Sequence, residues 1–76
     1  MRWTALWTIE DIGNGSFEVI RDGRPVGIPR CYDFDQAVEA IVNNALFEDW
    51  DRVVCRSGRE ESEVDVASYR KEPVGS

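Results

Sequence analysis

The pattern of hydrophobic and polar positions begins with a strand signal. Between residues 3 and 10 apolar and polar side chains alternate, which places Trp3, Ala5, Trp7 and Ile9 on one face. Alternation with a period of two, in a segment rich in Trp, Thr and Ile, is typical of a half-buried strand. The glycines and asparagine at positions 13–15 break the pattern and predict a turn.

A second pattern predicts a β-hairpin centred on Asp22 and Gly23. An Asp-Gly pair favours the two-residue hairpin turn, because both central residues of that turn need a positive φ. Pro25 and Pro29 cannot donate hydrogen bonds to a strand ladder, so we expect the third strand to be short and at a sheet edge. The turn also sets a register, in which the facing pairs are Arg21 with Arg24, Val19 with Val26, and Phe17 with Ile28.

The strongest periodic signal is a helix, predicted over residues 34–48. Asp33 is a suitable N-cap, and Gln36 three residues later completes a capping-box pattern. Glu48 and Asp49 would then lie near the helix C-terminus, where the helix dipole disfavours acidic charge, which indicates a role other than stability. The apolar stripe comprises Phe34, Ala37, Val38, Ile41 and Ala45, extended by Val42 or Leu46.

Two further strands are predicted after the helix. Residues 52–57 place Val53 and Cys55 on one face, and residues 63–69 alternate loosely after a polar connection. The element order β-β-β-α-β-β predicts a two-layer α+β fold, an antiparallel sheet of three to five strands covered on one face by a single helix. A chain of 76 residues is long enough for one domain. We expect this domain over residues 1–69 and a frayed tail over residues 70–76.

Several of these local features together resemble a known structural group. They are Trp7, Gly15, the segment 17–23, the helix positions Phe34, Ala37 and Ala40, and the segment 53–58. Over about residues 7–58 they are similar to small bacterial and phage domains of β-β-β-α-β type. The element order is also similar to that of HicB-type antitoxins, which pair a partial ribonuclease-H-like fold with a toxin. The first resemblance implies this fold, and the second implies an antitoxin-like domain.

The acidic charge is concentrated in one segment. The chain carries 15 acidic and 9 basic residues, a net charge of -6, and residues 31–51 hold six acidic residues and no Lys or Arg. A phosphate-binding surface needs the opposite sign, so the charge disfavours nucleic acid as a partner. We expect a protein partner with a basic or mixed surface. The candidate partner-binding residues are Asp35, Glu39, Glu48, Asp49, Trp50 and Asp51.

Trp50 stands among acidic residues and admits two interpretations. A Trp flanked by charged residues is a typical anchor in protein interfaces. Large aromatic side chains also supply much of the burial in small domains. Sequence context leaves core packing and interface contact equally open for Trp50.

The residue types disfavour catalysis and metal binding. The chain has no histidine, and the two cysteines, Cys31 and Cys55, are far apart in sequence and form no C-x-x-C pair. A calcium loop beginning at Asp33 would need Gly at its sixth position and Glu at its twelfth, where Val38 and Asn44 stand. We therefore expect a non-enzymatic protein without a metal or cofactor, with reduced thiols and a solvated acidic helix face.

The sequence also leaves open nucleic-acid binding and self-association, and it predicts a cellular location. A nucleic-acid-binding domain would use the sheet together with Arg2, Arg21, Arg24 and Arg30. An open sheet edge would allow a homodimer. The sequence contains no apolar run of 18 residues and no signal-peptide pattern, so we expect a cytoplasmic protein without a membrane span.

Overall fold

The computed structural model describes residues 4–66 and residue 69, which form a five-stranded mixed sheet and one helix. The predictions for Arg2, Trp3 and the tail 70–76 lie outside the described residues. The sheet has the strand order β3-β2-β1-β4-β5. The elements are β1 (Leu6–Gly13), β2 (Ser16–Arg21), β3 (Arg24–Pro25), α1 (Phe34–Val42), β4 (Arg52–Ser57) and β5 (Glu60–Glu63).

The α+β class with one helix packed on a sheet is confirmed, but the sheet is not antiparallel throughout. β1 pairs antiparallel with β2 and parallel with β4. The physical reason is the crossover through α1, because a connection of that length returns the chain to the end of the sheet where β1 begins. The fold therefore joins an antiparallel meander and an antiparallel hairpin through one parallel pair.

The predicted turn of the β2–β3 hairpin is confirmed. Asp22 and Gly23 have φ values of 52° and 78°, and the ladder pairs Arg21 with Arg24. β3 is a two-residue edge strand, as the prolines predict. The expected pairing of Phe17 with Ile28 is wrong.

The chain leaves the sheet after Pro25 and rejoins it at Cys31. Gly27 has a φ of 77°, a conformation that turns the backbone away from the strand direction. Phe17 therefore bridges Cys31, with N–H to C=O distances of 2.8 and 3.0 Å in the two directions.

The core lies between α1 and one face of the sheet, and the alternation in β1 is confirmed. Trp7 and Ile9 are fully buried against the helix residues Val38 and Ile41. Val54, on the opposite face of β4 from Val53, is also buried, at 6% exposure. The buried apolar cluster comprises Ala5, Trp7, Ile9, Val19, Cys31, Ala37, Val38, Ile41 and Val53.

The helix ends six residues earlier than predicted. Asn43 leaves the helical conformation, and the Oδ1 of Asn44 accepts the backbone N–H of Leu46 at 2.9 Å. Such a local side-chain bond competes with helix continuation. Ala45 is consequently exposed rather than part of the apolar stripe, and Glu48 and Asp49 lie in a loop, so the helix-dipole argument for them is wrong.

The N-terminus of α1 is placed as predicted, with a different hydrogen bond. Asp33 occupies the N-cap position with an extended backbone, yet its side chain makes no capping bond. The Oε1 of Gln36 accepts the N–H of Tyr32 at 3.3 Å, one residue before the position that a capping box requires.

β4 is confirmed, but the last strand begins earlier than expected. β5 occupies Glu60–Glu63, so it begins in the predicted polar connection and ends where the predicted strand begins. Gly58 (φ 61°) forms a tight turn that brings Glu60 opposite Ser57. All four β5 residues are exposed, so an acidic sequence is tolerated there. Of the strand predicted over residues 63–69, Glu63 is the last residue of β5, residues 64–66 and 69 are not in a strand, and residues 67–68 lie outside the described residues.

Ile41 tests the core packing. Its side chain is fully buried, so Ile41→Ala should lower the free energy of unfolding by roughly 2–5 kcal/mol. Glu39→Ala, on the exposed side of the same helix, is the matched control and should change it by less than about 0.5 kcal/mol. Urea denaturation of both variants measures the difference, and equal stabilities would contradict the packing of α1 on the sheet.

Gly23 tests the hairpin turn. No atom lies within 4 Å of the position that a Cβ would take, so a substitution there meets only backbone strain at φ 78°. Gly23→Val should therefore destabilise the fold by about 1–2 kcal/mol. Thermal unfolding measures the loss, and an unchanged midpoint would show that the turn tolerates another conformation.

Candidate functional site: the loop between α1 and β4

The segment from Asn43 to Asp51, which we call the α1–β4 loop, is held by one buried carboxylate. Asp51 is 7% exposed. Its Oδ1 accepts the N–H of Ala5 at 3.1 Å, and its Oδ2 accepts the Trp7 Nε1–H at 2.9 Å and the N–H of Glu48 at 3.0 Å. Three donors satisfy a charge that would otherwise be costly to bury. Asp51 thus ties the loop to the start of β1.

The α1–β4 loop packs on the side chain of Trp7. The ring of Phe47 meets the Trp7 indole edge-on, with centroids 6.0 Å apart and an interplanar angle of 62°. The guanidinium carbon of Arg21 lies 5.8 Å from the centroid of the same indole, a cation–π contact. The loop and the β2–β3 hairpin therefore converge on one buried tryptophan.

The loop presents apolar and acidic side chains together. Leu46 and Trp50 are 50% and 39% exposed, and Glu48 and Asp49 are exposed beside them. Trp50 is therefore not part of the buried core, and its role as an interface contact stays a prediction. Asp51 differs from these predicted site residues, because its carboxylate is buried and bonded to three donors.

The two predicted site residues on the helix form a separate group. Asp35 and Glu39 are exposed, and the Oδ1 of Asp35 accepts the Tyr69 hydroxyl at 2.7 Å. This hydrogen bond, with burial and the charges of Asp35, Asp33 and Glu39, raises the pKa of the Tyr69 phenol. The carboxylates of Asp33, Asp35 and Glu39 therefore all act on Tyr69, and none of them takes part in the Asp51 hydrogen bonds.

Among the described arginines proposed for a nucleic-acid interface, Arg21 and Arg24 share one face of the hairpin, and Arg30 lines a different groove. Arg21 lies over Trp7, on the face that α1 covers, whereas Arg30 lines a groove with Glu18. On the opposite face Arg52 and Arg56 are paired with glutamates, Arg52 with Glu63 at 3.3 Å and Arg56 with Glu10 at 3.1 Å. These ion pairs neutralise the basic charge of the open sheet face.

The two cysteines are free thiols with little nucleophilic character. Burial raises the pKa of the Cys31 thiol, and burial together with the charge of Asp11 raises that of Cys55. A raised pKa keeps a thiol in the less reactive protonated form. Within residues 4–66 and at residue 69, no group of three or more His, Cys, Asp or Glu side chains is arranged to hold a metal.

The sheet edges are poorly suited to pairing between copies. β3 is two residues long and contains Pro25, and β5 carries three glutamates. Short, proline-containing or charged edge strands are the usual ways in which proteins prevent edge-to-edge association. A homodimer through a sheet edge remains a prediction that this geometry does not favour.

Comparisons with known proteins do not assign the chain to a family: no family model, curated protein or solved structure matches it. The resemblance to small β-β-β-α-β domains and to HicB-type antitoxins therefore remains a prediction. In the described part of the chain, no helix is long and apolar enough to cross a membrane.

The hydrogen bond between the Trp7 indole and the Asp51 carboxylate is a feature that the sequence pattern does not predict. One signal was present, because Trp7 falls on the buried face of β1 and a buried indole N–H needs an acceptor. Asp51 directly precedes β4, the parallel neighbour of β1, but the parallel pairing is not readable from the sequence pattern. The sequence pattern therefore groups Asp51 with its exposed neighbours Glu48 and Asp49.

Replacing Asp51 tests its role in holding the loop. In Asp51→Asn one carboxylate oxygen becomes an NH₂ group, which sets a donor against a donor and leaves a buried N–H without an acceptor. We expect a loss of about 1–3 kcal/mol in the free energy of unfolding. Glu48→Gln, an exposed amide substitution in the same loop, should change it by less than about 0.5 kcal/mol. Denaturant unfolding checks both, and equal values would contradict the structural role of Asp51.

Proposed function

We propose that the protein is a non-catalytic module that binds a protein partner through the α1–β4 loop. The observation that carries the proposal is the composition of the exposed part of this loop. Leu46 and Trp50 offer apolar contact area, and Glu48 and Asp49 offer charge, within five residues. Energetically important sites in interfaces combine an aromatic anchor with surrounding polar contacts.

The loop is held before a partner arrives, which supports its use in binding. Asp51 accepts the N–H of Glu48, and Phe47 packs on Trp7. Ordering a flexible loop on association costs free energy, so a loop held by the core retains more of its contact energy as affinity. Trp50 and Leu46 can then act as anchors without a folding step.

The distribution of charge favours a partner with a basic or mixed surface. Residues 31–51 carry six acidic residues and no basic residue, and Asp35 and Glu39 extend the acidic surface along α1. Complementary potentials accelerate encounter and select among partners. A small acidic module that occupies a basic surface would act as a regulator or inhibitor of its partner. A phage or bacterial origin rests on the resemblance alone.

We further propose a cytoplasmic location. Both cysteines are free thiols, which fits a reducing compartment.

Matched variants used as bait test the proposal. Glu39→Lys, Glu48→Lys and Asp49→Lys are combined in one variant, and Glu18→Lys, Glu60→Lys and Glu61→Lys in a control with the same change of net charge. We expect the wild type and the control to capture the same protein from the producing cells, and the loop variant to lose it. With the captured partner purified, the loop variant should associate more slowly and with a weaker salt dependence.

Trp50→Ala separates anchoring from charge. Loss of an anchor acts mainly on dissociation, so we expect a faster off-rate and a nearly unchanged on-rate. Circular dichroism confirms that each variant is folded. If the folded loop variant and Trp50→Ala both bind the partner with wild-type kinetics, the α1–β4 loop is not the binding surface.

A further inference from the structure

A groove lies between the β2–β3 hairpin and the α1–β4 loop. Its volume is about 610 Å³. Leu46 contributes the wall on the loop side, and residues of the hairpin contribute the rest, so the groove is continuous with the loop proposed as the binding surface. The lining residues are Arg21, Asp22, Arg24, Pro25, Val26 and Leu46.

Two arginines lie side by side in this groove. Arg21 and Arg24 are direct cross-strand partners, so their side chains project from the same face of the hairpin. Like charges at such positions are unfavourable unless an anion lies between them. Asp22 is the acidic residue in the lining, and its Oδ1 accepts the N–H of Leu6 at 2.9 Å. The groove is therefore a basic site in an acidic protein.

Arg21 carries a donor without an acceptor. Its Nε is buried and has no hydrogen-bond partner among the described residues. Its guanidinium is held over the Trp7 ring, which restricts the directions that its remaining donors can take. A buried polar group without a partner costs free energy, so in a native protein it calls for a physical explanation, and a ligand that re-orients the guanidinium is one. An arginine offers its donors as a fork that matches a carboxylate.

Apolar side chains line the groove on both sides. Leu46, on the loop side, is half exposed, and Pro25 and Val26 lie on the hairpin side next to Arg24. A ligand that fits both walls carries an anionic group next to aliphatic side chains. A nucleic-acid backbone does not fit, because the exposed Glu48 and Asp49 lie within three residues of Leu46 and would repel a polyanion.

We propose that this groove binds an acidic side chain of the partner, flanked by aliphatic residues, with Arg21 and Arg24 holding the carboxylate. This proposal rests on the proposed function and adds a second charged contact, of opposite sign, to the interface. The partner surface would be mixed, with basic groups facing Glu48 and Asp49 and an acidic group seated between the two arginines. Leu46 would lie between the contact made by Glu48 and Asp49 and the contact made by the two arginines.

A peptide titration followed by NMR tests the groove directly. The probes are acetyl-Ala-Leu-Glu-Leu-Ala-amide, the same peptide with Gln in place of Glu, and inorganic phosphate. We expect the Glu peptide to shift the Arg21, Arg24 and Leu46 resonances saturably. The Gln peptide should bind at least roughly tenfold more weakly, because it lacks the charged acceptor.

Arg24→Gln is the variant of choice, because Arg24 is exposed in a two-residue edge strand and its loss should leave the fold intact. It should weaken binding of the Glu peptide by roughly tenfold, whereas Arg59→Gln, in the exposed β4–β5 turn, should not. Three outcomes would each overturn the proposal. They are equal binding of the Glu and Gln peptides, resonance shifts caused by phosphate but by neither peptide, and no resonance shift with any probe.

The experiments distinguish failure of the groove proposal from failure of the proposed function. If the Glu peptide does not bind but the Glu39, Glu48 and Asp49 reversal still abolishes partner capture, the groove proposal is wrong and the proposed function stands. If the Glu peptide binds as expected but the reversal leaves capture unchanged, the groove is a carboxylate site and the loop is not the interface.

Discussion

The hydrogen bonds of the Asp51 carboxylate are the constraint on which the rest of this structure depends. One side chain accepts N–H groups from Ala5, just before β1, from the indole of Trp7 in β1, and from Glu48 in the α1–β4 loop. The next residue continues the connection, since the N–H of Arg52 donates to the C=O of Ala5 at 3.0 Å. Because a buried carboxylate is stable only with such partners, the start of β1, the loop and the start of β4 must assemble together.

This constraint also determines which side chains face solvent. The loop turns Phe47 inward onto Trp7, so the neighbouring Leu46 and Glu48 face outward, and Trp50 is partly exposed just before the buried Asp51. The hairpin contacts the same tryptophan through Arg21, which brings basic and acidic side chains to one end of the domain. The position of the proposed interface therefore follows from the packing of the loop and the hairpin around Trp7.

Local signals predicted most of the fold, and each feature that was not predicted has its own physical cause. The turn at Asp22 and Gly23 was predictable because its φ requirement is local. The helix end was missed because the side chain of Asn44 stops a helix that the apolar spacing would continue. The fifth strand was predicted too late in the chain, because an exposed edge strand such as β5 needs no apolar alternation. Among the site residues, the exposure of Glu48 and Asp49 agreed with their charge, whereas Asp51 was buried by a partner 44 residues away.

Amide and indole hydrogen exchange is the most direct test of this account. If Asp51 holds the loop in the free protein, the backbone N–H of Glu48 and the Nε1–H of Trp7 exchange only through opening of the core. Both should then exchange far more slowly than unstructured groups, and with similar opening free energies, in NMR experiments on the unbound protein. Exchange of the Glu48 amide at the rate of an unstructured peptide would show that the loop is not held before binding, and would contradict the account.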